Sequence, residues 1–222
     1  MLVLICETPA NTGARMANAE AVSDSIVHKV KKPREPRKRS RQYLTLEEVK
    51  LLVAAARKGR HGERNALLIL MAFNHGYRCS EVAALHYGAI RDIETRRPTL
   101  QVVRSKNGND GVHPIWPEEQ KAIKAYLKGK SFDEFDELFP SRSGKPLSRT
   151  MIHRFVEQAG KDVGLPFTVY PHMLRHGTAT HLTNKGKGIV EVMNFMGHKN
   201  IQSSAIYTHW TDSQFKGQRG IW

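Results

Sequence analysis

The sequence predicts a mainly α-helical domain carrying a small antiparallel β-hairpin or sheet. Three observations predict it. Apolar residues recur at helical spacing from Leu46 to Ala56, directly behind Thr45-Leu46-Glu47-Glu48, which reads as a capping box. Residues 63–75 are apolar nearly all round, as in a helix buried on every side. Asn107-Gly108 then separates two β-prone runs, a strong hairpin signal.

Each element follows in order. Leu46, Val49, Leu52, Val53 and Ala56 form one helical face, and Gly59 and Gly62 break that helix. The apolar helix over 63–75 ends at Gly76, and a short helix is expected over 79–86. The period then changes. Thr99 to Val103 and Val112 to Ile115 are the hairpin strands, with Lys106 to Gly111 between them. Pro117 stands at the start of a helix reaching about Lys128, where proline is favoured because the first-turn N–H needs no partner. Asp133 to Glu137 is an acidic patch, expected to face away from a polyanionic partner. Ser148 can cap a helix over 149–162, with Ile152, Phe155, Val156 and Ala159 inward. Further helices are expected near 171–184, 188–195 and 200–208.

A chain of 222 residues that is 40% hydrophobic can bury one good core with a small appendage. Its formal net charge of +14 favours polyanions, nucleic acid ahead of an anionic membrane. Two cysteines, Cys6 and Cys79, imply no disulfide framework and fit a reducing cytosol. The run Leu2 to Cys6 is too short for a membrane span and lacks a basic leader, and Met16 is an alternative start.

Residues 1–42 read as a disordered basic tail. Lys29, Lys31, Lys32, Arg34, Arg37, Lys38, Arg39 and Arg41 face a single nearby acid, Glu35, and Pro33 and Pro36 interrupt helix. Such a segment cannot bury enough apolar area to offset its ordering entropy. It serves either as an arm that neutralises DNA phosphates or as a solvated linker, and the arm is the favoured reading. Residues 43–222 are the compact domain.

Several scattered polar residues read as one site. Arg78 follows a buried helix and a glycine turn, a rigid position suited to clamping a phosphate, and it can pair with Glu81. His172 and Arg175 stand three apart, so one helical turn puts them on one face. His198 follows Gly197, where a histidine can also simply answer a helix C-terminus. Tyr207 stands nine residues beyond His198. Lys106 at the hairpin tip reads locally as an ordinary turn lysine, with Arg104 a nearby competitor for a phosphate contact. Phosphoryl transfer on DNA needs a nucleophile, fixed donors for the non-bridging oxygens and a proton for the leaving oxygen. The chain lacks the dense carboxylate cluster of a two-metal nuclease, so it reads as built for a metal-free route. His172 and His176 are four apart, as in helical zinc sites, but position 173 is Met where a glutamate would be needed, and no third ligand stands out.

Gly76-Tyr77-Arg78-Cys79-Ser80-Glu81, His172-Met173-Leu174-Arg175-His176 and Met196-Gly197-His198 with the following Tyr207 resemble the blocks of the tyrosine recombinases, the phage-integrase family. The likeness is greatest to the small recombinases that invert fimbrial promoter switches. Met196 stands where the family usually has leucine. The resemblance implies a DNA breaking-rejoining catalytic domain over most of residues 43–222. It implies Arg78, Lys106, His172, Arg175 and His198 as catalytic groups, with Lys106 as general acid, Tyr207 as nucleophile and Glu81 orienting Arg78. It also implies site-specific recombination (inversion, excision or integration) through a 3′-phosphotyrosyl bond, without metal, ATP or cofactor. The implied partners are double-stranded DNA, three further copies in a homotetramer on paired sites, and an accessory DNA-bending protein. No membrane is implied, and the expected location is the cytoplasm, on the bacterial nucleoid. Most family members place a helical core-binding domain ahead of this one. Here the basic tail precedes it, as in the fimbrial-switch type.

Overall fold

The computed structural model describes residues 41–105 and 108–200. The basic tail up to Ser40, Lys106, and the expected helix over 200–208 with Tyr207 lie outside the described residues, Asn200 excepted. The described chain runs α1 (Leu46–Arg57), α2 (Gly62–Asn74), α3 (Cys79–Ala83), β1 (Ile90–Arg91), β2 (Thr99–Val102), β3 (Gly111–Pro114), α4 (Pro117–Leu127), α5 (Arg149–Asp162), α6 (Pro171–Asn184) and α7 (Ile189–Met196). No helix among the described residues is long and apolar enough to cross a membrane.

The capping box forms as its sequence predicts. Glu48 N donates to Thr45 Oγ1 at 3.3 Å, and Thr45 N donates back to Glu48 Oε2 at 2.8 Å. Arg41 departs from its place in the expected DNA-binding tail. Its guanidinium pairs with Glu48 and lies 4.9 Å from the ring centre of Phe167, so the carboxylate and the aromatic face hold it on the domain. Burial alone would raise the Glu48 carboxyl, but Arg41 and the Thr45 backbone hold it below its ordinary value.

Helix α2 is the centre of the core. It buries Ala66, Leu67, Leu68, Ile69, Met71, Ala72 and Phe73 and packs against α1, α4 and α6. Gly62 begins this helix rather than serving only as a breaker. A Cβ there would fall 1.8 Å from the Arg57 carbonyl oxygen, so only glycine lets α2 start this close to the end of α1. Gly76 ends the helix at φ 60°, and a Cβ there would meet Met196 Sδ at 2.7 Å.

Helix α3 stops at Ala83, short of the expected residue 86. Leu85 O accepts from Leu138 N at 2.7 Å and His86 bridges to Glu137, and this extended pairing takes the backbone out of helix. The hairpin strands pair antiparallel, Thr99 with Pro114 through Val102 with Gly111. A two-residue strand, β1, adds to the outer edge of β2. It is too short to show a period in the sequence. Ser148 Oγ accepts from Met151 N at 3.2 Å and caps α5 as expected.

Candidate active site

The site lies where the end of α2, the start of α3, the hairpin root, α6 and the end of α7 meet. Its centre is the carboxylate of Glu81, whose side chain is 1% exposed. Oε2 accepts the Arg78 backbone N–H at 2.9 Å, which caps α3. Oε1 accepts from Arg78 Nη1 at 2.6 Å and from both the N–H and the hydroxyl of Ser105 at 3.1 Å. Arg104 Nη1 donates to Oε2 at 3.2 Å, and Arg175 Nη1 stands 3.8 Å from the same oxygen. Burial would raise this carboxyl, but the Arg78 hydrogen bonds and the charges of Arg104 and Arg175 lower it below the ordinary value. Three guanidinium groups around one carboxylate leave an excess of positive charge, which suits an anion such as a phosphodiester.

The two inner arginines are held by backbone carbonyls. Arg104 donates to Gly76 O at 3.2 Å, His75 O at 2.8 Å and Phe195 O at 2.9 Å. Arg175 donates to Gly76 O and to Met196 O, the latter at 2.8 Å. Arg78 keeps 31% of its side chain exposed. The expectation of Arg104 as a DNA contact is corrected here. Its guanidinium is 1% exposed and saturated by carbonyls and Glu81, so it is an internal strut beneath Arg78. The sequence held a signal for this: Leu100, Val102 and Arg104 alternate on one strand face, and that face is the buried one.

His172 is exposed on the first turn of α6, with the His176 ring edge-on at 4.4 Å. Desolvation, then the charges of Arg175 and Arg78, lower its pKa. His198 follows the Gly197 turn after α7, where its N–H donates to Met193 O at 2.9 Å. Burial, then Arg175, Arg78 and Arg104, push His198 down to about 4. His176 is likewise lowered to about 4 by burial, then by His172 and Arg175. The structure thus brings Arg78, Arg175, His172, His198 and Glu81 together. Lys106 and Tyr207 lie outside the described residues. Ser105, which bonds Glu81 twice, was not anticipated; nothing separates it from any hairpin serine in the sequence. Among the described residues, no group of three or more His, Cys, Asp or Glu side chains is placed to hold a metal ion.

Comparison with known proteins places these features in context. The sequence profile of the phage integrase family matches residues 42–214. The chain is 34% identical over 181 residues to the type 1 fimbriae regulatory protein FimE of Escherichia coli strain K12, covering 80% of this chain and 90% of that protein. Among solved structures, it is similar to that of XerA recombinase, with a TM-score of 0.67 and 25% identity over 86% of this chain and 68% of the other. XerH site-specific recombinase bound to its difH substrate shares the fold, with a TM-score of 0.67 at 23% identity over 85% of this chain and 56% of the other.

Proposed function

The chain belongs to the phage integrase family, the tyrosine recombinases, and from that membership we propose that it cuts and rejoins double-stranded DNA at specific sites through a covalent bond to Tyr207. As a member it is a site-specific DNA recombinase, an enzyme of DNA strand transfer. The observation that carries the finer reading is the gathering of Arg78, Arg175, His172 and His198 around one buried carboxylate.

The Tyr207 hydroxyl attacks the scissile phosphorus. A Tyr207 O–P bond forms and the P–O5′ bond breaks, leaving a 3′-phosphotyrosine and a free 5′ end. Arg78 and Arg175 hold the non-bridging oxygens as charge moves onto them, and His198 donates a further hydrogen bond. His172, lowered in pKa and therefore neutral near pH 7, takes the tyrosine proton. Lys106 gives its proton to the departing 5′ oxygen. Rejoining is the same path in reverse from another 5′ hydroxyl. The covalent bond conserves the energy of the broken one, so no nucleotide is consumed.

Four protomers on two paired DNA sites form the proposed assembly, with an accessory DNA-bending protein and the bacterial nucleoid in the cytoplasm as its setting. Inversion, excision and integration share this chemistry and differ in the layout of the sites. The test is covalent capture. Protein incubated with genomic DNA of its source is denatured in detergent, and the DNA that remains attached is sequenced. Adducts at a few loci that vanish in Tyr207→Phe, while DNA binding persists, are the expected result. Adducts that survive in Tyr207→Phe would overturn the assignment of the nucleophile.

A further inference from the structure

Behind the arginines lies a second buried polar cluster that the proposed chemistry does not use. His75 and Glu119 are both fully buried, and His113 is 7% exposed. Glu119 sits in the first turn of α4 and accepts from Asn74 Nδ2 at Oε2, 3.0 Å away. His75 Nε2 donates to its other oxygen at 2.9 Å. That bond fixes the His75 ring, whose Nδ1 then faces His113 Nδ1 at 3.2 Å with one proton between them. His113 belongs to β3 and stacks on Phe195 of α7, ring centres 4.1 Å apart. Burial, then His75 and Arg104, push His113 down to about 3, so it is a neutral link.

This chain of bonds grips the groups that hold the arginines. The His75 carbonyl accepts from Arg104, and the next carbonyl, Gly76 O, accepts from both Arg104 and Arg175. Arg78 follows two residues later. On the hairpin, Arg104 ties down the β2 end of the loop and His113 ties down β3. Asn109 N, within the loop, donates to Gly197 O at 3.3 Å, one residue before His198. Glu119, His75 and His113 therefore connect the turn before Arg78, the hairpin root and the end of α7.

We propose that His75, His113 and Glu119 are positioning residues for strand cleavage, a buried relay of hydrogen bonds that keeps the hairpin root in register with the arginine clamp. The proposal rests on the recombinase reading above. Such a relay acts on rate rather than on DNA affinity, because its members are buried and small displacements of catalytic groups are costly.

The experiment measures single-turnover cleavage of a nicked DNA substrate at saturating protein, with DNA affinity and melting temperature measured alongside. The substrate carries a site recovered by the covalent capture. His113→Asn places an amide N–H where Nδ1 stands, whereas His113→Gln places it where Nε2 stands. H113N is expected to cleave within about threefold of the unaltered protein, and H113Q to be slower by on the order of 10- to 100-fold with DNA affinity unchanged. Glu119→Gln against Glu119→Leu gives an independent pair, with E119Q active and E119L slow, should either His113 variant fold poorly. Equal rates within both pairs would overturn the relay, as would losses that appear in affinity rather than in rate. Unaltered protein that forms no Tyr207-dependent adduct would instead overturn the recombinase reading.

Discussion

Arg104 and Glu81 form an ion pair of 3.2 Å in which each side chain is only 1% exposed. Removing Arg104 takes one of three guanidinium groups from Glu81 and takes a buried donor from the carbonyls of His75, Gly76 and Phe195. Arg104→Met should therefore destabilise the domain by about 3–5 kcal/mol. Urea unfolding would show a lower midpoint at an unchanged slope, and cleavage should fall with stability. A stable Arg104→Met protein with weakened DNA binding would return Arg104 to the role of a DNA contact.

Arg78 stands at the same carboxylate but stays part exposed, so its replacement should separate stability from rate. Arg78→Lys keeps the charge and loses the planar fork. Cleavage of a nicked DNA substrate should drop by roughly 100- to 1,000-fold, the range for loss of a transition-state donor. DNA affinity, measured by filter binding, should change little, because a chain of formal net charge +14 keeps many other cations for the proposed DNA interface.

Three histidines sit far below the ordinary imidazole value of 6.5: His113 at about 3, His176 at about 4 and His198 at about 4. Each is lowered first by burial, then by His75 and Arg104 at His113, by His172 and Arg175 at His176, and by Arg175, Arg78 and Arg104 at His198. As pH falls through 6.5, the unfolded chain takes up protons that the folded chain refuses, so stability present above 6.5 is lost toward 4. Calorimetry from neutral to acid pH should show a steadily falling melting temperature. His113→Asn removes one titrating group and should flatten the fall. An unchanged profile would mean that His113 takes up protons alike in both states.

The basic tail gives a prediction in salt. Each phosphate neutralised adds about 0.9 to the slope of log affinity against log salt. Deleting residues 1–40 leaves Arg41 on Glu48 and should flatten that slope by several such increments. An equal slope in the shortened protein would assign the tail to solvent.

Local signals account for what was legible in advance. The Thr45 and Ser148 caps, proline at the first turn of α4, and the hairpin flanking Asn107-Gly108 each arise from contacts within a few residues. They can be read along the chain because their physics is local. The short strand β1 and the early end of α3 could not, since both depend on pairing with segments far along the chain.

By itself the sequence determined the helices and the hairpin among the described residues and the residue types gathered around Glu81, because caps, period and turn chemistry act between near neighbours. Only the tertiary structure decided which arginine faces outward and which is a strut. Arg78 and Arg104 are both plausible phosphate ligands on paper, and they differ through the carbonyls of His75, Gly76 and Phe195. The same holds for Glu119, a first-turn glutamate like Glu118 beside it, which packing alone drew inside to meet His75. Burial and long-range hydrogen bonding assign such roles, and both depend on which distant segments fold against one another.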